Sequence, residues 1–258
     1  MDRVRYSRQL LVREWGVEAQ ERLHNASVLV IGAGGLGCSV ILHLAAGGVG
    51  ALGIVDFDRV ERTNLHRQVL YGDADVGRFK AERACEMARA RNPALRCEAF
   101  VERFAGDVGL ALIVSGGGGG GYDVVVDCSD NVATRYAVSD ACVLAGRALV
   151  SAAAAGVDGQ LTVLNAPPRG DGADEGGDAA ARGPCYRCLH PVPPAANAGA
   201  GRCGDIGVLG IVPGLIGCMQ ALEVLKLVGG VGSHLGGRLC VVDALYGTYR
   251  TVGPVSFF

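Results

Sequence analysis

The sequence predicts an α/β protein of Rossmann-like architecture, with a mostly parallel central sheet flanked by helices. Short apolar runs typical of buried strands alternate with helical segments, as at 27–32 and 35–49, and parallel strands covered on both faces have this composition. A glycine loop at 32–37 joins that strand to that helix. The 258 residues suit one domain over 1–258, with an elaborated C-terminal half that contains a cysteine loop.

The first half of the domain follows from its apolar patterns. Helical spacing of Leu and Val over 8–23 predicts a helix in an N-terminal arm, 1–25. We expect 26–165 to be the nucleotide-binding half. There the patterns predict strands at 27–32, 51–58, 96–104, 122–130, 148–156 and 159–165, and helices at 35–49, at 80–92 before Pro93, and after 130 through about Ala145.

The second half is less regular. The tract 166–184 is rich in Gly, Ala, Asp and Pro and predicts a disordered insertion, and the glycine tract 115–121 predicts another flexible surface segment. The remainder, 185–258, predicts the cysteine loop, a long helix within 208–228 that begins near Pro213, and closing strands at 238–245 and 247–252.

Composition excludes several classes of protein. The net charge is -2 and no Lys/Arg-rich run occurs, which argues against direct nucleic-acid binding. No secretory signal is visible, and charges or glycines interrupt the apolar runs, so we expect no membrane association. Most of the ten cysteines lie in apolar segments, which predicts a reducing, cytoplasmic location. We expect buried thiols at Cys38, Cys85, Cys142, Cys218 and Cys240.

The loop GAGGLG predicts nucleotide binding. Gly32 would permit a tight turn, Gly34 close approach of the backbone to a ligand, and Gly37 close helix packing, with backbone N–H groups facing phosphate. Asp56, about 20 residues further on, stands where an acidic residue meets a ribose hydroxyl. A glycine-rich turn beside a surface aspartate is the alternative, but strand, loop, helix and acid occur together.

Polar residues past two of the predicted strands suggest a polyphosphate ligand. Asn64, Arg67 and Gln68 follow the second strand, and Lys80 begins the next helix. Basic groups beside a phosphate loop suit a ligand whose charge grows during reaction, although a solvated loop is the alternative for either cation alone. Asp130 and Asn131 suit Mg²⁺ on phosphates or, equally, a helix N-cap.

Seven segments together resemble one family, the MoeB/ThiF branch of the ubiquitin-activating enzymes. Within it they are most similar to the eukaryotic group, the molybdopterin-synthase sulfurylases that also activate a ubiquitin-related modifier for tRNA thiolation. The segments occur in the family's order: RYSRQ, GAGGLG, VDFDRVERTNLHRQ, GRFKA, DCSDN, PCYRCL and GVLGIVPGLIGCMQALEVLKL. The resemblance covers nearly the whole chain apart from the two low-complexity tracts.

The resemblance implies one MoeB/ThiF-type adenylation domain that uses MgATP to adenylate the C-terminal Gly-Gly of a ubiquitin-fold protein. It implies a homodimer in which Arg8 reaches the ATP of the other subunit. It places phosphate contacts at Gly35 and its neighbours, ribose at Asp56, and Mg²⁺ at Asp130 beside Asn131. The triphosphate would be bound by Thr63, Asn64, Leu65, His66 and Arg67, with Lys80.

Three cysteines have implied roles. Cys203 matches the cysteine that attacks the acyl-adenylate in the eukaryotic group, with an inert thiol or a third zinc ligand as alternatives. Cys185 and Cys188 have the spacing of half a Cys₄ zinc site. The family's second C-x-x-C pair and the rhodanese domain of its eukaryotic members do not occur before Phe258, which predicts a chain truncated from a longer protein. Zinc is therefore expected in the full-length protein and is doubtful in this chain.

Two other classes remain as alternatives. An NAD-dependent oxidoreductase would use the same glycine loop but leaves the segment TNLHRQ unexplained. A non-catalytic subunit of a split activating enzyme would be expected to lose phosphate-binding cations, whereas Arg67 and Lys80 are both present. The sequence favours catalysis.

Overall fold

The fold is described by a computed structural model that covers residues 1–167, 182–193 and 207–253. Eight strands form one sheet in the order β3-β2-β1-β4-β5-β6-β7-β8. They are β1 Ser27–Ile31, β2 Ala51–Val55, β3 Arg96–Phe100, β4 Val124–Asp127, β5 Ala148–Ala155, β6 Asp158–Leu164, β7 Leu239–Asp243 and β8 Thr248–Val252. Pairing is parallel from β3 through β5 and antiparallel from β5 through β8. The predicted mostly parallel sheet is confirmed.

Helices cover both faces of the sheet. They are α1 Ser7–Leu10, α2 Gly16–Asn25, α3 Gly35–Gly47, α4 Lys80–Arg91, α5 Gly106–Gly119, α6 Val132–Leu144, α7 Tyr186–Leu189 and α8 Ile211–Gly229. One apolar core lies between the sheet and α3, α4 and α8, and the other lies between the sheet and α5 and α6. Alternate residues of β1 enter opposite cores, with Val28 and Val30 on one side and Leu29 and Ile31 on the other.

The predicted helix at 8–23 is wrong as one element. Leu11 and Val12 are exposed, so the Leu/Val spacing does not mark a single buried face. The chain turns after α1, and Gly16 takes a positive φ of 60° where α2 begins. The turn is fixed by the buried Gln20, whose side-chain oxygen accepts hydrogen bonds from Gln9 Nε2 and Trp15 Nε1.

The glycine tract 115–121 is not a separate insertion, because it closes α5, a helix the sequence did not predict. A Cβ at Gly116 would come within 2.4 Å of the Tyr122 ring, so only glycine fits beside that buried tyrosine. Gly121 turns with a φ of 77° and its carbonyl accepts from Ser27 Oγ, which carries the chain into β4. Most of the tract 166–184 lies outside the described residues.

Two further expectations need correction: that charges or glycines interrupt every long apolar run, and that Cys218 is buried. Helix α8 has an 18-residue window of mean hydropathy 1.6, long and apolar enough to span a membrane by length and composition alone. Its contacts are those of a core helix, because Val212, Ile216 and Val224 are fully buried against the sheet and α3. Cys218 of the same helix is exposed, whereas the other four predicted thiols are buried.

Candidate functional site

A cavity of about 500 Å³ opens at the carboxyl ends of the parallel strands. It lies where β1 separates β2 from β4, the point at which the strand order reverses and α/β sheets bind ligands. Among the residues that line it are nine of the predicted ones: Gly32, Gly34, Gly35, Asp56, Arg67, Gln68, Lys80, Asp130 and Asn131. The structure therefore brings these nine predicted residues together around one cavity.

The glycine loop has the tight geometry expected of a phosphate loop. Gly32 has a φ of 95°, and a Cβ there would lie 2.8 Å from the Cys128 carbonyl oxygen. A Cβ at Gly37 would lie 2.0 Å from the Gly32 carbonyl oxygen, so the first turn of α3 packs directly on the loop. Gly34 precedes α3 and faces the cavity with room for a Cβ, 3.8 Å from Gln68 Nε2. Packing within the protein therefore requires glycine at Gly32 and Gly37 but not at Gly34.

Asp56 is held at the end of β2 by backbone amides. Its Oδ2 accepts from Ala33 N–H and its Oδ1 from Asp58 N–H, each at 2.8 Å. Each carboxylate oxygen retains acceptor capacity for a hydroxyl group. Burial raises the pKa of Asp56 above its ordinary value, and the nearby Lys80 charge opposes that rise.

Lys80 supplies a buried cation at the start of α4. Its side chain is 6% exposed, and its Nζ lies 3.0 Å from Asp58 Oδ2, on a carboxylate that is half exposed. The sequence did not single out Asp58, which also lines the cavity. Because the Lys80 ammonium is desolvated, its field on a ligand anion is stronger than that of a surface lysine.

Two residues of the segment after β2, Arg67 and Gln68, line the cavity. Arg67 lines the cavity, and its guanidinium donates to Asn64 Oδ1 and contacts His66 Nε2. Gln68 is buried at the cavity wall, and its Oε1 has no hydrogen-bond partner among the described residues. That acceptor is available to a ligand donor, which fits a nucleotide. Contrary to expectation, four residues of this segment do not line the cavity: Thr63, Asn64, Leu65 and His66.

The loop after β4 contains both a helix N-cap and a carboxylate that lines the cavity. Asn131 caps α6, since its Oδ1 accepts from Thr134 N–H at 2.9 Å. Asp130 is exposed and lines the cavity. In the part of the chain that is described, no cluster of three or more His, Cys, Asp or Glu could hold a metal ion. A single carboxylate facing a phosphate site is nevertheless compatible with Mg²⁺, which keeps water and phosphate ligands.

Sequence reasoning missed Arg135, a buried cation on the first turn of α6. Its Nη1 donates to the Ala152 carbonyl at 3.0 Å and its Nη2 to the Ser129 carbonyl at 2.9 Å. Within the described residues no carboxylate oxygen lies within 4.0 Å of its nitrogens, although it lines the cavity. A buried charge without a carboxylate favours an anion in the cavity. The sequence signal that could have revealed Arg135 is the Asn131 cap, because the start of α6 determines which of its residues face the cavity.

A second missed feature is a stacked pair at the rim. The Arg103 guanidinium carbon lies 3.8 Å from the Phe57 ring centroid, and both residues line the cavity. Arg103 follows β3 and Phe57 follows β2, so the pair joins two neighbouring strand ends. It gives the cavity a flat wall beside Asp56, which suits a nucleobase or a ribose.

Two predicted catalytic residues are not brought to the cavity by the described structure. Arg8 is exposed on α1, and its role in a second subunit's site stays a prediction. Cys203 lies outside the described residues.

The Cys185–Cys188 pair is preorganised on the surface of α6. The two Sγ atoms lie 3.6 Å apart, close to the roughly 3.8 Å expected of two sulfurs on one tetrahedral zinc. The segment is docked by protein contacts, since Tyr136 Oη donates to the His190 carbonyl and Arg187 makes two hydrogen bonds to Asp140. The pair fits half a zinc site, and the described residues do not complete it.

Comparison with known proteins agrees with this geometry. The ThiF family matches residues 6–256. The mouse (Mus musculus) protein "Adenylyltransferase and sulfurtransferase MOCS3" is 50% identical over 249 residues, which is 96% of this chain and 50% of that protein. The Arabidopsis thaliana protein of the same name is 46% identical over 248 residues, 96% of this chain and 49% of that protein. The chain thus spans about half the length of these curated relatives.

Solved structures share the fold. The crystal structure of E. coli MccB with MccA-N7isoASN has a TM-score of 0.77 at 22% identity, covering 99% of this chain and 74% of MccB. The structure of E. coli MccB with ATP has a TM-score of 0.75 at 21% identity, covering 96% of this chain and 71% of MccB. At this level of identity the likeness establishes the architecture of the chain.

Proposed function

The chain belongs to the ThiF family, and from this premise we propose that it adenylates the C-terminal glycine of a ubiquitin-fold protein with ATP. The product would be ready for thiolation, in molybdopterin synthesis, tRNA thiolation or both. The names of the relatives, adenylyltransferase and sulfurtransferase, support this reaction. The observation that carries it is the cavity in which a phosphate loop meets the buried cations Lys80 and Arg135.

The reaction is a nucleotidyl transfer. A carboxylate oxygen of the terminal glycine forms a bond to the α-phosphorus of ATP, the α–β phosphoanhydride bond breaks, and pyrophosphate leaves. Negative charge gathers on the phosphates, so catalysis depends on positioning and on cations rather than on a protein nucleophile.

The cavity residues then have distinct roles. Backbone N–H groups at the start of α3 bind phosphate, and Asp56 accepts hydrogen bonds from ribose hydroxyls. Lys80 and Arg67 neutralise the triphosphate. Arg135 faces the same cavity from α6 and balances the charge of the incoming carboxylate or of the α-phosphate.

Magnesium is proposed at Asp130. Mg²⁺ bound there with phosphate oxygens would supply additional positive charge to the triphosphate. Metal-dependent ATP binding measured by calorimetry tests this role, and an Asp130→Asn variant with unchanged magnesium dependence would contradict it.

A homodimer is proposed from Arg8. Its exposure on α1 leaves it free to reach a second subunit's site. Mixing Arg8→Ala protein with Lys80→Met protein tests this idea. Each variant alone should exchange pyrophosphate at a strongly reduced rate, and recovery of activity in the mixture is expected only if sites are shared between subunits.

Cys203 is proposed as the thiol that attacks the acyl-adenylate, displacing AMP to form an acyl-thiol intermediate. Cys203→Ala should spare pyrophosphate exchange and abolish the thiol-linked partner, as seen by non-reducing electrophoresis. Loss of exchange in this variant would contradict the assignment.

Zinc is proposed at Cys185 and Cys188, a pair that would need two further ligands from outside the described residues. Because the described residues supply half a site, we expect the 258-residue chain to hold less than one zinc per protomer. Elemental analysis of the purified chain checks this expectation.

A cytoplasmic location is proposed from the free cysteines of the described residues, and cell fractionation tests it.

Exchange of labelled pyrophosphate into ATP tests the proposed function. We expect exchange only when a ubiquitin-fold protein ending in Gly-Gly is present, and none when the same protein lacks those two residues. ATP binding without exchange for any such partner would favour the alternative, a non-catalytic subunit of an activating enzyme.

A further inference from the structure

A second pair of cysteines lies between α4 and β3, outside the lining of the cavity. Cys85 is 2% exposed and Cys97 is 8% exposed, and their Sγ atoms are 2.6 Å apart. The pair belongs to the apolar core on the α4 face of the sheet. Two sulfurs this close are within about 0.6 Å of disulfide bonding distance, so only a small further approach of the two sulfurs is needed to form a bond.

We propose that Cys85 and Cys97 form a reversible disulfide that ties α4 to β3 when a peroxide oxidises them. The bond would be a modification site separate from the adenylation chemistry. It does not depend on the proposed function, because neither cysteine lines the cavity.

The surroundings of the pair favour one thiolate. Arg89 lies one turn after Cys85 on α4 and donates a hydrogen bond to the Cys97 carbonyl oxygen. A hydrogen bond from the Cys97 thiol lowers the pKa of Cys85, and the Arg89 charge lowers it further. The same hydrogen bond and burial raise the pKa of Cys97. Cys85 is thus the attacking sulfur and Cys97 the resolving one.

The oxidation is balanced by hydrogen peroxide. The Cys85 thiolate attacks one peroxide oxygen, the O–O bond breaks, and a sulfenic acid and water result after protonation. The Cys97 sulfur then attacks the Cys85 sulfur, the S–O bond breaks, and a second water leaves. Two thiols lose two electrons and two protons, and one peroxide becomes two waters. A dithiol reductant reverses the bond by exchange.

The position of the pair permits access and gives the bond a consequence. β3 is the edge strand of the sheet, where local opening is easiest. α4 begins with Lys80 and β3 leads to Arg103, and both of these residues line the cavity, so the disulfide would connect two elements that carry cavity residues. Such a cross-link between elements 12 positions apart restricts the unfolded chain and stabilises the fold.

Peptide mapping after hydrogen peroxide treatment tests the proposal. Trypsin should release Cys85 in the peptide 84–89 and Cys97 in the peptide 97–103, each with one cysteine. We expect these two peptides to be linked after oxidation and separated by dithiothreitol. The melting temperature of the oxidised protein should exceed that of the reduced protein by about 5 °C.

Two variants complete the test. Cys85→Ala should abolish both the linked peptide and the difference in melting temperature. Cys142→Ala removes a buried thiol from the opposite core and should retain both. The proposal is overturned if Cys85 and Cys97 are alkylated as free thiols on unfolding the peroxide-treated protein. It is equally overturned if either is found linked mainly to another cysteine.

Discussion

Replacing Lys80 with methionine should lower the rate of partner-dependent pyrophosphate exchange by roughly 10²- to 10³-fold. Methionine fills the buried volume of the lysine side chain but cannot neutralise the developing charge on the phosphates. The Lys80 ammonium is desolvated, and the one carboxylate that it contacts among the described residues, Asp58, is half exposed, so much of its field acts on the cavity. Initial-rate exchange assays at saturating ATP measure the effect.

Lys226 provides the matched control. It is the only other lysine in the chain, and it also pairs with a carboxylate, Glu223. Both residues lie near the C-terminal end of α8, whereas Pro213, near its start, is the residue of that helix that lines the cavity. Lys226→Met should reduce stability without reducing exchange in the folded protein.

Lys80→Met should also raise the pKa of Asp56 further, since the lysine charge opposes the effect of burial on that carboxyl. A Lys80→Met enzyme within tenfold of wild type would contradict this role.

Replacing Gly37 with alanine should destabilise the fold by about 3 kcal/mol or more. The added Cβ would stand 2.0 Å from the Gly32 carbonyl oxygen and 2.9 Å from its carbon, which are backbone atoms that cannot rotate away. The loop and α3 must therefore separate. A fall in melting temperature of roughly 6–12 °C is the expected result in a thermal scan.

Gly34→Ala separates folding from binding in the same loop. A Cβ there meets only Gln68 Nε2, at an ordinary contact distance of 3.8 Å. The melting temperature should change by about 2 °C at most, while the affinity for ATP falls by at least about tenfold because the methyl group keeps phosphate from the backbone. If Gly34→Ala binds ATP as wild type does, the phosphates do not lie on this loop.

The residues at the centre of the candidate site could be predicted from the sequence because their signals are local. Gly32, Gly37 and Asp56 are constrained by the backbone of one strand–loop–helix unit, which a spacing pattern captures. The positions of the strands followed for the same reason, but the predicted ends at 58, 104 and 130 lie three or four residues past the observed ends at Val55, Phe100 and Asp127.

Other features could not be predicted because they depend on contacts between distant segments. Arg135 enters the cavity only because α6 starts at Val132 and turns its first residues towards β5, where Ala152 accepts a hydrogen bond. The contact of Cys85 with Cys97 depends on how α4 packs against β3. The split of the first helix depends on Gln20, a polar residue whose burial no periodicity indicates.

The most direct measurement is the intact mass of a ubiquitin-fold partner ending in Gly-Gly after incubation with this chain, ATP and magnesium. We expect a partner species heavier by one adenylyl group, located at the terminal glycine by fragmentation. That species should be missing with Lys80→Met and with a partner shortened by two glycines. A partner that stays unmodified under conditions where the chain binds both it and ATP would contradict the proposed adenylation.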